Sequence, residues 1–517
     1  MRSFILLQVL LVVMSGVSAR AAELPVASAD ALVTALASVN PGDVIRVAPG
    51  TYTFADKIRI NRNGTPEQPI VLRGDGVIGS VVFVITGQEG LYIPATDWVI
   101  EKIWLRCEGS SCEDAAGFSI KETARRITIQ SVRTTNFYQH YKASMAGGAG
   151  AEDVTIQYSE AYNTAAFPGQ TNAINLDGGR RWRVVGNYVH DFGNAGVSYG
   201  MYFKGGIRDS VMEQNLVVCS RDRPAGSDAT LGISFGGGRM GVQYCAEDNR
   251  GANGCRCEDF AGIARNNIVA NCPDAALHVN SACGSRFLNN IVYNAGVVLQ
   301  VQSFEGTGPI EVRNNVLGGS LPSNNVVASD NMLNVSAPEF NGYYSNPMGL
   351  DFSAGTNSGP LAGAPALVDV TNDYCGNVRS AAPTRGAVEL PAGCQTWPWG
   401  AALPSAEDAG VVVTQDAGSP VPDASVPQVD SGTALPDAAV PAMDSGVVQP
   451  LEDAGAQVVD AGAQVVDAGS SDAGGAGAVG CPGCSNADGS SAASVLLLLA
   501  ALARGRLRRV ATPTTTR

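Results

Sequence analysis

Short runs in which apolar and polar residues alternate recur through the first three hundred or so positions of the chain. They include Ile127-Thr-Ile-Gln, Val154-Thr-Ile-Gln, Trp182-Arg-Val-Val, Ser210-Val-Met-Glu, Gly262-Ile-Ala-Arg, Ser285-Arg-Phe-Leu and Ile310-Glu-Val-Arg. A period of two is that of a strand with one buried face. Most runs are followed by an Asn and a second β-prone pair, as in Asn215-Leu-Val-Val, Asn267-Ile-Val and Asn290-Ile-Val. Asn187, Asn215, Asn267, Asn290 and Asn315 are 28, 52, 23 and 25 residues apart, and the 52 reads as two repeats plus a Cys-rich insert at about 238 to 260.

A repeat of this length, holding three short strands joined by bends, predicts an all-β fold: a single-stranded right-handed parallel β-helix. Each turn buries its apolar face only by stacking on the next. An Asn at fixed phase suits a bend, because Asn tolerates the left-handed conformation and bonds to the neighbouring coil. Helical repeats are excluded by the Val, Ile and Thr content and the period of two. Open solenoid ends pair with other chains unless covered, and Asp30 to Val39 reads as an N-terminal capping helix. One continuous solenoid is expected from residue 28 to about 390, inside a domain spanning 22–397, as a monomer.

The two ends carry different signals. Arg2, an apolar run from Phe4 to Met14 and a small-residue site ending near Ala21 form a signal peptide over residues 1–21. Residues 398–480 form an Asp/Ala/Gly/Pro/Val-rich linker; its stretch 401–480 holds twelve Asp or Glu and no Lys or Arg, and is read as a disordered acidic stalk. Residues 481–517 begin with Cys481-Pro-Gly-Cys484, continue through an apolar helix at 492–503, and end in Arg504, Arg506, Arg508 and Arg509. That layout resembles the myxobacterial C-terminal sorting signal (MYXO-CTERM). The resemblance implies export, display on the cell surface or outer membrane, and membrane contact through this tail alone. A formal net charge of −14 argues against a nucleic-acid partner.

Twelve cysteines in an exported chain read as disulfides. Cys107 with Cys112 and Cys375 with Cys394 are local pairs. Cys219, Cys245, Cys255, Cys257, Cys272 and Cys283 form an even set around the insert, with a zinc site at Cys245, Cys255 and Cys257 as the alternative.

The opening, Asn40-Pro-Gly-Asp43-Val-Ile-Arg-Val-Ala-Pro-Gly50-Thr-Tyr-Thr followed by Gly64-Thr-Pro-Glu-Gln-Pro69-Ile-Val-Leu-Arg, resembles the pectate-lyase-like β-helix superfamily, in particular the chondroitinase B-like polysaccharide lyases. The far end, with Asp373-Tyr-Cys-Gly-Asn-Val-Arg379 and Gly386-Ala-Val-Glu389, looks like the last coils of the same group. The resemblance implies an extracellular polysaccharide as partner.

Aligning the repeats also aligns the strand about eight residues before each run: Phe118-Ser-Ile-Lys121, Ile174-Asn-Leu-Asp177, Met201-Tyr-Phe-Lys204, Ile233-Ser-Phe-Gly236, Leu277-His-Val-Asn280 and Leu299-Gln-Val-Gln302. Alternation sends Lys121, Asn175, Asp177, Tyr202, Lys204, Ser234, His278, Asn280, Gln300 and Gln302 to one solvated outer face, a row suited to sugars. Lys121, Asn175, Asp177, Tyr202, His278, Asn280 and Gln302 are the candidate substrate-binding residues. The segment from Tyr202 to Asn215 looks like the chondroitinase B-like stretch in which a strand Lys is the base, which makes Lys204 the catalytic candidate. The Arg-His-Gly element that the family carries on the next coil is replaced by Ile233-Ser-Phe-Gly-Gly-Gly238, with Arg239 nearby. Asp177 is a candidate calcium ligand by the same resemblance, or a simple partner for Lys204; no other cofactor is implied. Lys121, Arg125 and Arg126 form a basic group, while His140 and His190 read as packing residues. The leading expectation is a carbohydrate-directed surface protein, with lyase chemistry on a uronic-acid polymer as its activity. A non-catalytic adhesin on the same scaffold is the alternative.

Overall fold

The computed structural model describes residues 21–392 apart from 166, 194–195, 222–228, 238–239 and 303–308. The signal peptide (residues 1–20 of it), the acidic stalk, the sorting tail, Arg239 and Cys394 lie outside the described residues.

Strands one repeat apart pair in parallel along the chain. Ile127, Thr128 and Ile129 lie beside Val154, Thr155 and Ile156, which continue onto Arg183 and Val184. Twelve such strands, from Glu23–Val26 to Val326–Ser329, stack in sequence order into one row. Two further rows complete each coil. One runs through Gly50–Phe54, Val81–Ile85, Trp104–Cys107, Arg133–Thr135, Glu160–Tyr162, Tyr188–His190 and Leu216–Val218. The other, here the site row, runs through Ile58–Arg59, Glu89–Ile93, Ala116–Ile120, Gln139–Ala143, Asn172–Asp177, Ser198–Lys204 and Thr230–Phe235. The long strands Ile268–Asn280 and Ile291–Gln302 bend through both rows. The chain is therefore a parallel β-helix.

Inward positions fill a continuous core that includes Phe83, Leu105, Phe118, Ile127, Ile129, Ile174, Leu176, Phe203, Phe235 and Phe287. The five repeat asparagines stand at one corner, but the 52-residue spacing is a single coil that carries the insert rather than two coils plus the insert, because the strands flanking Asn215 pair directly with those flanking Asn267. Each side-chain carbonyl accepts from the backbone N–H and the amide of the Asn one coil before: Asn187 to Asn215, Asn215 to Asn267, Asn267 to Asn290, Asn290 to Asn315. Asn331 extends the ladder by one step. The residues just before them, Gln214, Asn266, Asn289 and Asn314, have φ between 51 and 58°, the left-handed bend that turns the chain.

Helix Ala29–Ser38 caps the N-terminal end, started by the Ser28 hydroxyl accepting from Ala31 N–H and burying Leu32 and Leu36. The other end differs from the expectation of further coils. Ladder pairing stops at Val326–Ser329. Residues from Val335 to Val388 instead pack Phe340, Tyr344, Phe352, Leu361 and Tyr374 onto the outer side of Leu216, Val218, Ile268, Ile291 and Val316. Those coils are apolar on both faces, so a second layer has to cover them. Asp373, within the stretch that resembled a last coil, accepts from Cys375, Asn377 and Glu389 N–H and so organises this covering segment.

Disulfides join Cys107–Cys112, Cys219–Cys272, Cys245–Cys255 and Cys257–Cys283. Cys375 is also disulfide-bonded. The zinc alternative falls with them, because all three of its cysteines are spent in S–S bonds and a thiolate is what zinc binds.

Candidate functional site

The outward residues of the site row lie in register along the solenoid. Arg59 adjoins Tyr92, Tyr92 adjoins Ser119, and the column continues through Lys142, Asn175, Tyr202, Ser234, His278 and Gln300. Two residues further along the strands, Asp177 adjoins Lys204 and Asn280 adjoins Gln302; Lys121, just past its strand end, has the same phase. Every candidate site residue read from the sequence thus falls on this one row.

Their surroundings differ from the solvated face expected. Lys204 is 6% exposed, Asp177 2%, Tyr202 3% and His278 1%. Over Tyr202 and Lys204 the cover is the run Gly236-Gly237. Gly236 takes φ +82° where a Cβ would meet Asn280 O at 1.7 Å, and Gly237 lies against the Tyr202 ring and the Lys204 stem. Asn280 pins this crossing by donating to Gly237 O at 3.0 Å. Only glycine lets the backbone run so close over the row. Beyond it, Glu258 accepts from Gly205 N–H (2.6 Å) and Met240 N–H (3.0 Å), anchoring the Cys-rich insert beside Lys204. Burial pushes the Glu258 pKa up, against the pull of those bonds and of the Lys204 charge.

Asp177 is the centre of the cluster. Lys142 bonds its Oδ2, and Lys204 Nζ stands 3.8 Å from Oδ1. The Asn175 amide, in the orientation its neighbours satisfy, donates to Asp177 Oδ1 at 2.8 Å and accepts from Lys142 Nζ at 3.1 Å, with the Tyr202 hydroxyl also in contact. The calcium reading of Asp177 gives way here, because two ammonium groups already occupy the carboxylate that a cation would need. Among the described residues no group of three or more His, Cys, Asp or Glu could hold a metal ion. Lys142 was missed in the sequence. Its strand, Gln139–Ala143, sends only Tyr141 and Ala143 inward as apolar residues, so the alternation that flags the other coils is weak there.

Tyr202 carries a pKa well above the usual phenol value because burial disfavours the phenolate, only partly offset by Lys204. It remains a proton donor. Tyr199 packs on it at 4.5 Å between centroids. His278 is a different kind of group. The Ser234 hydroxyl donates to Gly236 O and must therefore accept from His278 Nδ1–H, 2.7 Å away. The ring is thereby assigned the Nδ1–H tautomer, and among the described residues its buried Nε2 has no partner at hydrogen-bond distance, with the Gln302 side chain its neighbour. Burial lowers its pKa to about 4, with Gln302 opposing, so the imidazole is neutral at physiological pH.

The other basic and imidazole candidates resolve separately. Arg126 is paired with Asp97 at 2.6 and 2.9 Å, and Arg125 faces Glu152 at 3.8 Å, so neither joins Lys121 on the row. His140 is buried against Thr134 at 2.8 Å with its pKa lowered to about 3 by burial. His190 is stacked between Tyr162 and Tyr188. Burial opposes its charge, but Asp191 and Glu160 outweigh this and raise its pKa.

No family model matches the chain, and no curated protein matches it. Solved structures do resemble it. A pectate lyase, Pel9A, is 18% identical with a TM-score of 0.48, over 69% of this chain and 90% of that one. An alginate lyase from Paenibacillus sp. str. FPU-7 is 18% identical with a TM-score of 0.39, over 61% and 96%. PfbA, a surface adhesin of Streptococcus pneumoniae, is 10% identical with a TM-score of 0.33, over 58% and 82%. At these identities the likeness is one of fold and nothing finer.

Proposed function

We propose that the protein is a carbohydrate-directed β-helix that cleaves a uronic-acid polymer by β-elimination at the Lys142–Asp177–Lys204 cluster. The observation that carries this reading is the convergence, within three successive coils of one polar row, of two amino groups and a phenol that holds its proton. Elimination needs those parts. Lys204, once deprotonated, takes the proton α to the uronate carboxylate. The C–H electron pair forms the new C=C bond as the bond to the leaving glycosidic oxygen breaks. Tyr202 returns a proton to that oxygen, and Lys142 offsets the charge that develops on the carboxylate. Neutral His278 and the Gln302 amide serve as hydroxyl-binding groups further along the row, while the Asn280 amide, already donating to Gly237 O and Gln302 Oε1, holds them in place.

One observation favours the alternative of a non-catalytic carbohydrate-binding adhesin. Lys204 is nearly buried and tied to Asp177, so it must leave an ion pair before it can act as a base. Incubating the protein with a panel of uronic-acid polymers, while following ultraviolet absorbance of the unsaturated product, separates the two. Product formation that depends on Lys204 supports the lyase; binding with no product on any polymer selects the adhesin.

The same proposal takes the protein to be exported and displayed at the cell surface through its sorting tail, as a monomer. Its several disulfides support the export, since such bonds persist in oxidising compartments.

A further inference from the structure

We propose that Lys57, Arg59 and Lys121, gathered around Tyr92, form a second anion-binding subsite for a polymer lying along the site row. The proposal rests on reading that row as a polymer groove. Lys57 Nζ and Lys121 Nζ stand 4.5 and 4.7 Å from the Tyr92 ring centroid, and Arg59 Cζ stands 5.4 Å away. One carboxylate, Glu89, answers the two lysines. It accepts from Lys57 at 2.7 Å and from Ser119 at 2.7 Å, and lies 3.5 Å from Lys121. Burial works against charge on Glu89, but those bonds outweigh it and lower its pKa, so it stays ionised. Three cations against one anion leave a surplus of two positive charges.

That surplus is unusual on a chain whose net charge is −14. At the neighbouring corner every arginine has a carboxylate partner: Arg126 pairs with Asp97, and Arg125, Arg180 and Arg181 share Glu152 and Asp153. Arg59 is exposed and makes no ion pair among the described residues. Its planar fork, held over an aromatic face, is the geometry that takes a carboxylate in two bonds. The Tyr92 ring contributes to holding all three cations in place at modest cost in freedom.

Position gives the subsite its meaning. Coils stack about 4.8 Å apart, so Lys121, three coils before Lys204, is roughly 14 Å from it along the axis. A polymer engaged at Lys204 reaches the Tyr92 group only if it extends several sugars in that direction and carries acid groups there. The substrate class is therefore a polyanion acidic over a run of residues rather than at one sugar.

The test uses the full chain with polygalacturonate and alginate as acidic probes and fully methyl-esterified polygalacturonate as the neutral one. Arg59→Gln combined with Lys121→Gln should weaken binding of an acidic polymer at least tenfold and leave the neutral polymer unaffected. Arg59→Lys alone should retain most of the binding. Unchanged affinity of the double variant for the acidic polymers overturns the subsite, as does a wild-type protein that binds neither. Product formation is followed separately. Weakened binding without any cleavage by wild-type protein upholds the subsite and removes the lyase reading, while cleavage with unaltered binding does the reverse.

Discussion

Lys142 and Lys204, carried by the coils on either side of Asp177, reach the same carboxylate from the two directions of the solenoid axis. A buried acid shared in this way is structural as well as chemical. Asp177→Asn removes the carboxylate that two poorly solvated ammonium groups share, and breaking a buried pair costs about 3–5 kcal/mol. Urea unfolding of that variant should show a clear fall in midpoint. Lys204→Ala is milder, because Asp177 keeps Lys142. If Lys204 is the base, its loss should reduce product formation by about 10²–10⁴-fold with the fold intact. An active enzyme indifferent to Lys204→Ala would rule it out.

His278 should not titrate near neutrality. Its ring is buried, its pKa is lowered to about 4, and Ser234 fixes the Nδ1–H tautomer. Nitrogen-15 spectra of the imidazole should show a neutral ring with a bare Nε2 from about pH 5 to 8, the range in which an ordinary His changes charge. Added oligosaccharide should move the Nε2 signal as a sugar hydroxyl donates to it. A titration near 6.5 would mean that water reaches the ring and the row is open there.

Asp259 couples stability to pH. It is fully buried beside the core, with Oδ2 accepting from Gly262 N–H and the Ser285 hydroxyl and Oδ1 without a partner among the described residues. Burial raises its pKa to about 7. The folded state thus holds a proton that the unfolded state releases near pH 4, so this contribution is complete at low pH and lost as pH rises from about 4 to 7. The loss is on the order of 2–4 kcal/mol. Asp259→Asn should remove that slope and raise stability at pH 8, checked by denaturant unfolding across the range. A variant with the wild-type slope would assign the pH dependence elsewhere.

Asn215 lies inside the ladder, and both its amide and its carbonyl are engaged. Asn215→Ala deprives Asn187 of its acceptor and leaves buried polar groups unpaired, at about 1–3 kcal/mol for each group stranded. Hydrogen exchange should show faster opening of the coils holding Asn187 and Asn267, with the N-terminal coils near Phe83 protected as before. Uniform loss of protection would mean that the coils unfold as one unit.

The fold was legible because a solenoid writes its architecture in local terms. Ile127, Ile129, Val154 and Ile156 alternate at the strand period, and Asn187 to Asn315 return at the coil period, since each coil repeats the same bend and the same contact with the coil before it. The phase of Lys121, Asp177, Lys204 and His278 followed from that register, because a residue's side of the sheet is set by parity. What parity does not determine is how much chain lies on top. The crossing at Gly236 and Gly237, the insert anchored at Glu258, and the packing of Phe340 and Tyr344 over Leu216 and Ile268 join residues far apart in sequence, with no periodic signal to announce them. Lys142 stayed hidden for a related reason: a strand with few apolar inward residues is recognised only by the neighbours it pairs with. Register is local and repeats, so one sequence carries it; burial, charge pairing and pKa arise from distant segments meeting, and only the tertiary structure decided them.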